Sequence, residues 1–159
     1  MPPTLGWYPT PTPTGFVLHL SATPNHLRAV RDLVEKTLCG AGADDELTHA
    51  VQLVFSELCG NAVRACGNFV PLVAELELES EPMSSATGTT RPDRTTAARI
   101  GLHDPCREAH PRLTGVRLDD PFAESGRGLA LVDLFAPGWY VTETPVGKQI
   151  RCRVPIPGS

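Results

Sequence analysis

A two-layer α+β sandwich with its helices on one face is what this sequence predicts, and three observations carry the prediction. Two segments repeat apolar residues at helical spacing, one from Leu27 to Leu38 and the next from Leu47 to Ala62. Short alternating or β-branched runs around residues 16–20, 70–79, 98–102, 139–143 and 149–154 read as strands. Their order along the chain is strand, two helices, two strands, a long connection, one helix and two strands.

The first fifteen residues contain Pro9-Thr-Pro-Thr-Pro-Thr14 and read as an extended or disordered arm, with Trp7 and Tyr8 available to dock it. Phe16-Val-Leu-His-Leu20 reads as the first strand. Ser21-Ala-Thr-Pro-Asn25 then offers a cap with Pro24 at an early helical position. The first helix follows, with Leu27, Val30, Val34 and Leu38 on one face, and Gly40 and Gly42 stop it. Asp44 or Asp45 caps the second helix, whose apolar stripe is Leu47, Val51, Val54, Leu58 and Ala62, until Gly67-Asn68 ends it.

From Val70 to Glu79, Leu72, Ala74, Leu76 and Leu78 alternate with Glu75, Glu77 and Glu79, so one face of that strand is wet. Residues 80–96 are rich in Ser, Thr, Pro and Gly without apolar period and read as a long flexible connection. Ala98, Ile100 and Leu102 are the inward side of the next strand. Residues 105–125 lack both periods. A third helix is expected from about Gly128 to Ala136, and a closing hairpin turns around Pro145-Val-Gly147.

Two motifs carry chemistry. In Phe55-Ser-Glu-Leu-Cys-Gly-Asn-Ala-Val-Arg-Ala-Cys66, Glu57 and Asn61 share one helical face, placing a carboxylate beside a neutral oxygen suited to a hard cation. Such a pair is also what a solvated helix face displays. In Glu124-Ser-Gly-Arg-Gly-Leu129, two glycines precede a helical run, where close backbone approach and unpaired amides favour an anion. A Gly-x-Gly pair equally ends many loops.

Together these motifs resemble the ATP-binding domains of the GHKL superfamily (gyrase, heat-shock chaperone, histidine kinase, MutL), and within it the anti-sigma-factor serine kinases common in actinobacteria. The family's Glu-x-x-x-Asn-Ala-Val is matched by Glu57 and Asn61-Ala62-Val63, and its Gly-x-Gly-Leu by Gly126-Arg127-Gly128-Leu129. Its strand-end aspartate is matched in Ile100-Gly-Leu-His-Asp104. The resemblance spans roughly residues 16–155. It implies the histidine kinase-like ATPase fold of the Bergerat type, a mixed, mostly antiparallel sheet, over residues 16–159 after the arm of residues 1–15, with residues 105–127 as the ATP lid.

The resemblance also assigns roles. Asn61 would hold Mg2+ on the nucleotide phosphates, Glu57 would polarise the nucleophile, and Asp104 would accept from the adenine amine. Asp104 by itself also fits an ordinary strand-end turn. Gly126, Arg127, Gly128 and Leu129 would meet the phosphates, and Arg64 would reach the nucleotide, pair with Glu57 or face solvent. The implied partners are ATP, a sigma factor and an anti-sigma-factor antagonist, with a homodimer through the first helix and first strand. The implied activity is serine phosphorylation of the antagonist, sequestration of the sigma factor, or both. The alternative is a partner-switching module that acts by association alone.

Two departures from the family pattern stand out. Where many members read Asp-x-Gly-x-Gly, this chain has Asp104-Pro-Cys-Arg-Glu, without the first lid glycine. Where a threonine often supports the adenine, it has Lys148-Gln149-Ile150, with Gln149 as a substitute and Lys148 read as an edge-strand charge.

Composition narrows the partners. The 159 residues suit one domain, and the net charge of −4 offers no basic field for direct nucleic-acid binding. No run reaches the length of a membrane span and the amino terminus lacks a signal peptide's apolar core, so a cytoplasmic location is expected. Five cysteines, an odd number without a Cys-x-x-Cys pair, argue against a complete disulfide framework, and most are read as small core hydrophobes. His103, Cys106 and His110 crowd one loop, too few for a structural zinc.

Overall fold

The computed structural model describes residues 5–82, 88, 93–106 and 124–158. Six strands, β1 (Trp7–Thr12), β2 (Gly15–Ser21), β3 (Pro71–Glu81), β4 (Arg94–Asp104), β5 (Tyr140–Thr144) and β6 (Gly147–Pro155), form one sheet in the order β1-β2-β3-β4-β6-β5. Every pairing in it is antiparallel, where a mixed, mostly antiparallel sheet was expected. Among the described residues three helices, α1 (Pro24–Gly40), α2 (Asp45–Cys66) and α3 (Glu124–Phe135), complete the two-layer α+β architecture.

Local chemistry explains where the helices begin. Thr23 caps α1 by accepting the His26 amide at 3.0 Å, with Pro24 at the first helical position where its missing N–H costs nothing. Asp44 caps α2 by accepting the Leu47 amide at 2.8 Å and reaches Arg94 at 3.3 Å with its other oxygen. At the other end, Gly67 takes φ 93°, where a side chain would be strained, and stops the helix.

Between the layers lies one core. Leu18 and Leu20 of β2, Leu72, Ala74 and Leu76 of β3, and Ile100 and Leu102 of β4 face Val34 and Leu38 of α1 and Val51, Val54, Phe55 and Leu58 of α2. Phe16 and Phe55 stack across it with ring centroids 6.3 Å apart. On the outer face of the sheet the acidic row of β3 meets arginines: Glu79 holds Arg99 at 3.1 Å and Arg153 at 2.6 Å. The alternation of β3 is thus the alternation of a dry and a wet face.

Several expectations change. Of the arm read as extended or disordered, residues 7–12 are extended, and they form an edge strand registered from Trp7 against Leu20 to Thr12 against Gly15. Pro9 and Pro11 occupy alternate positions, so their missing donors point away from the ladder and the strand tolerates them at a sheet edge. Trp7 anchors the strand against the His26 ring, with centroids 5.5 Å apart, and His26 rather than Leu27 joins the buried face of α1. Since β1 covers it, β2 is an interior strand and not the free edge that a dimer through the first strand would use.

The connection between β3 and β4 is shorter than residues 80–96, because the two strands extend to Glu81 and from Arg94; most of what remains lies outside the described residues. Residues 107–123, the bulk of the expected lid and the position of His110, also lie outside them.

Candidate nucleotide site

The second helix brings the first motif to the site. Glu57 and Asn61 are both partly buried on α2. No hydrogen bond or ion pair reaches Glu57 among the described residues. The Asn61 amide is divided: its Oδ1 accepts from Arg64 at 2.8 Å, while its Nδ2 is buried and has no partner among the described residues. Arg64 therefore pairs with Asn61 rather than with Glu57. An orphaned buried donor costs roughly 1–3 kcal/mol and is satisfied by an incoming acceptor such as a phosphate oxygen.

Asp104 arrives at the carboxy-terminal end of the same helix, beside Cys66. It continues the inward phase of Ala98, Ile100 and Leu102 on β4 and is 1% exposed. Two donors converge on its Oδ1, Lys148 Nζ at 2.8 Å and the Cys106 amide at 2.9 Å, and Cys66 Sγ lies 3.7 Å from the same oxygen. Lys148 Nζ donates as well to the Cys106 carbonyl at 2.6 Å. The Asp104 and Lys148 side chains are each 2% exposed, so this is a buried ion pair in strand register, Asp104 opposite Lys148.

Lys148 is thus no edge-strand charge. The signal was present in the sequence: Lys148 is in phase with Ile150, Cys152 and Val154, the inward side of β6. Gln149 has the opposite phase, donates nothing toward Asp104, and accepts from Arg151 at 3.1 Å on the outer face. The turn between β5 and β6 presses on the same spot, since a Cβ at Gly147 would strike the Asp104 carbonyl.

The cysteines divide by environment. Cys66 and Cys106, 40 residues apart in sequence, are joined as a disulfide with Cα atoms 6.1 Å apart. Cys59 and Cys152 are core residues, and burial pushes each thiol up to about 12 from the ordinary 9.0. Cys39 is exposed. The reading as core hydrophobes holds for two of them. His103, the third member of the expected loop cluster, faces the other way and shares a 2.8 Å hydrogen bond with Thr144 Oγ1.

The glycine motif lies at the start of α3, which begins at Glu124 rather than near Gly128. Gly126, Arg127 and Gly128 are helical backbone in its first turns. That start places the free amides at Glu124 to Gly126 and engages the Leu129 amide within the helix, while the Leu129 side chain is 3% exposed in the core. An open cleft of about 510 Å³ lies away from all of these residues, on the sheet's outer face beside Glu75, Glu77, Arg99, Arg151 and Arg153. Two of these arginines, Arg99 and Arg153, are held by Glu79.

Comparison with curated proteins returns no match. Among solved structures, the chain is similar to the histidine kinase domain of the blue-light activated histidine kinase from Erythrobacter litoralis EL346, at 18% identity and a TM-score of 0.36. That match covers 83% of this chain, which spans only 60% of the kinase domain. It is also similar to the nucleotide-free catalytic domain of histidine kinase ThkA, at 17% identity and a TM-score of 0.37, covering 87% of this chain and 95% of that one. The assignment does not rest on these distant likenesses but on a family model, described as the histidine kinase-like ATPase domain, which matches residues 20–154. This chain belongs to the histidine kinase-like ATPase domain family.

Proposed function

We propose that the chain is an ATP-binding regulatory domain whose nucleotide lies over the carboxy-terminal half of α2, between Asn61, the Asp104 end of β4 and the first turn of α3. The observation that carries this reading is the buried, unpartnered Nδ2 of Asn61 on the helix that also bears Glu57, within a chain of this family. A buried donor without an acceptor fits a site completed by phosphate. Magnesium fits the neutral amide oxygen of Asn61, whose Oδ1 would hold the ion once Arg64 releases it. Bound there, the ion would supply charge neutralisation for the phosphates. Glu57, without a partner among the described residues, is the group placed to polarise an attacking hydroxyl.

The substrate of that attack, on this reading, is a serine hydroxyl of a small antagonist protein, and the free domain sequesters a sigma factor. The second reading is a partner-switching module that acts by protein association with little or no use of ATP. One observation favours it: the carboxylate that would accept from adenine is already met by Lys148.

Thermal unfolding with and without Mg-ATP separates the two. If the site binds nucleotide at about 100 times below the ligand concentration used, stability rises by about 2.7 kcal/mol. Asn61→Ala then removes the magnesium-dependent part of the shift. Incubation with labelled ATP and candidate antagonists reads out phosphoserine, which Glu57→Gln abolishes while the thermal shift persists. No shift at millimolar Mg-ATP rejects the first reading in favour of the second.

A further inference from the structure

The cross-link beside Asp104 has a use that nucleotide binding does not by itself explain. Cys66 is the last residue of α2 and Cys106 lies just past the end of β4, and their Cα separation of 6.1 Å falls within the range a disulfide spans without backbone movement. Both residues are half-buried, within reach of small reagents, whereas Cys59 and Cys152 are enclosed in the core and Cys39 stands alone on α1.

Cys106 is also the hinge of the ion pair. Its amide donates to Asp104 Oδ1 at 2.9 Å and its carbonyl accepts from Lys148 Nζ at 2.6 Å, so one residue fixes both buried charges. Whatever holds Cys106 in place therefore holds Lys148 on Asp104. A metal ion is the rival occupant, because the ligand atoms of Cys66, Asp104 and Cys106 lie within 4.8 Å of one another. The ammonium 2.8 Å from Asp104 Oδ1 already supplies the positive charge there and would repel a cation, and three protein ligands fall short of a closed structural site.

We propose that Cys66 and Cys106 are a reversible thiol-oxidation site that controls whether Asp104 is covered by Lys148. The oxidant is a low-molecular-weight disulfide. One thiolate of the pair attacks it, forming a mixed disulfide and releasing one thiolate of the reagent; the second cysteine then attacks the protein sulfur of that bond and releases the other. In sum, two protein thiols become one disulfide and one reagent disulfide becomes two thiols, with two electrons passing to the reagent. In the disulfide form Cys106 is tethered to the end of α2 and the Asp104–Lys148 pair is closed. In the dithiol form Cys106 is released, Lys148 reaches solvent, and Asp104 is open to a hydrogen-bond donor. The consequence for ATP rests on the reading of Asp104 as the adenine contact.

The test uses the whole chain, prepared oxidised with a small disulfide or reduced with excess thiol. Mass analysis after alkylation is expected to count three free thiols in the oxidised form and five in the reduced. Amine labelling at Lys148, quantified on its peptide, is expected to rise on reduction by at least about fivefold, with ATP binding tightened by a similar factor. Cys66→Ser should behave as reduced protein under both treatments, and Cys39→Ser should respond like wild type. Five free thiols after oxidation, stoichiometric zinc on the pair, or Lys148 labelling indifferent to treatment would each overturn the proposal. Labelling that responds while ATP still binds equally in both forms upholds the oxidation site and removes Asp104 as the base contact. Labelling that responds with no ATP binding in either form upholds the site and rejects the nucleotide reading.

Discussion

The two halves of α2 are built on opposite principles. From Leu47 to Leu58 the helix is held by apolar burial: Leu47, Val51, Val54, Phe55 and Leu58 are all 0% exposed. From Asn61 to Cys66 burial thins to Ala62, with Val63 and Cys66 half-buried beside it, and directional contacts are added: an amide with one satisfied end, an arginine on that amide, and a sulfur bonded to a neighbouring strand end. Burial is non-directional and survives only as a packed whole, whereas hydrogen bonds and a disulfide can be exchanged one at a time for contacts to a ligand. The first half makes the scaffold and the second leaves groups that can change partners, which is the division of labour expected of a site mounted on a rigid element.

Disrupting each half in turn tests this contrast. Phe55→Ala should have the largest effect, lowering stability by about 3–5 kcal/mol in urea unfolding, because the cavity under Phe16 cannot be refilled by its neighbours. A loss under about 1 kcal/mol would mean that the amino half is not the scaffold.

Lys148→Ala comes next, with a loss of about 3 kcal/mol, since it strands the Asp104 carboxylate in a buried place. Replacing both partners together, Asp104→Leu with Lys148→Met, should recover most of that loss, because a buried ion pair returns little over a well-packed apolar pair. If the double variant is as unstable as the single one, the pair does more for the fold than the contrast allows.

The smallest effect concerns Cys59, the thiol at the boundary of the halves. Its folded value near 12 lies above the ordinary 9.0 because burial disfavours the thiolate. The folded state keeps the proton that the unfolded chain loses above pH 9, so this contribution is complete below pH 9 and is lost as pH rises toward 12. The stability advantage of wild type over Cys59→Ala should therefore shrink by roughly 1 kcal/mol between pH 9 and pH 10. A gap constant over that interval would place the thiol in contact with water.

How far the molecule could be read in advance follows the same division. The buried face of α2 and the dry and wet sides of β3 were legible because periodicity records local geometry, 3.6 residues to a helical turn and two to a strand repeat. The edge strand β1 was obscured by its prolines, which announce an irregular chain unless the register of the neighbouring strand is known. The early start of α3 was obscured by Gly126 and Gly128, weak helix formers that mark a break by propensity alone.

The site divides similarly. Glu57 and Asn61 were legible as a pair because four residues make one face of a helix. The surroundings of Asp104 were not, since Cys66 and Lys148 come from α2 and β6, 38 and 44 residues away in the chain. Lys148 carried a readable sign, its phase with Ile150, but its opposite number depends on strand pairing across 44 residues.

By itself, then, the sequence determined the α+β pattern, the two motif-bearing helices and the family, because each depends on residues near one another in the chain. Only the tertiary structure decided that the strand-end aspartate is covered by a buried lysine and tied through Cys106 to the end of α2. Contacts between distant segments depend on register and packing, and no local periodicity encodes them.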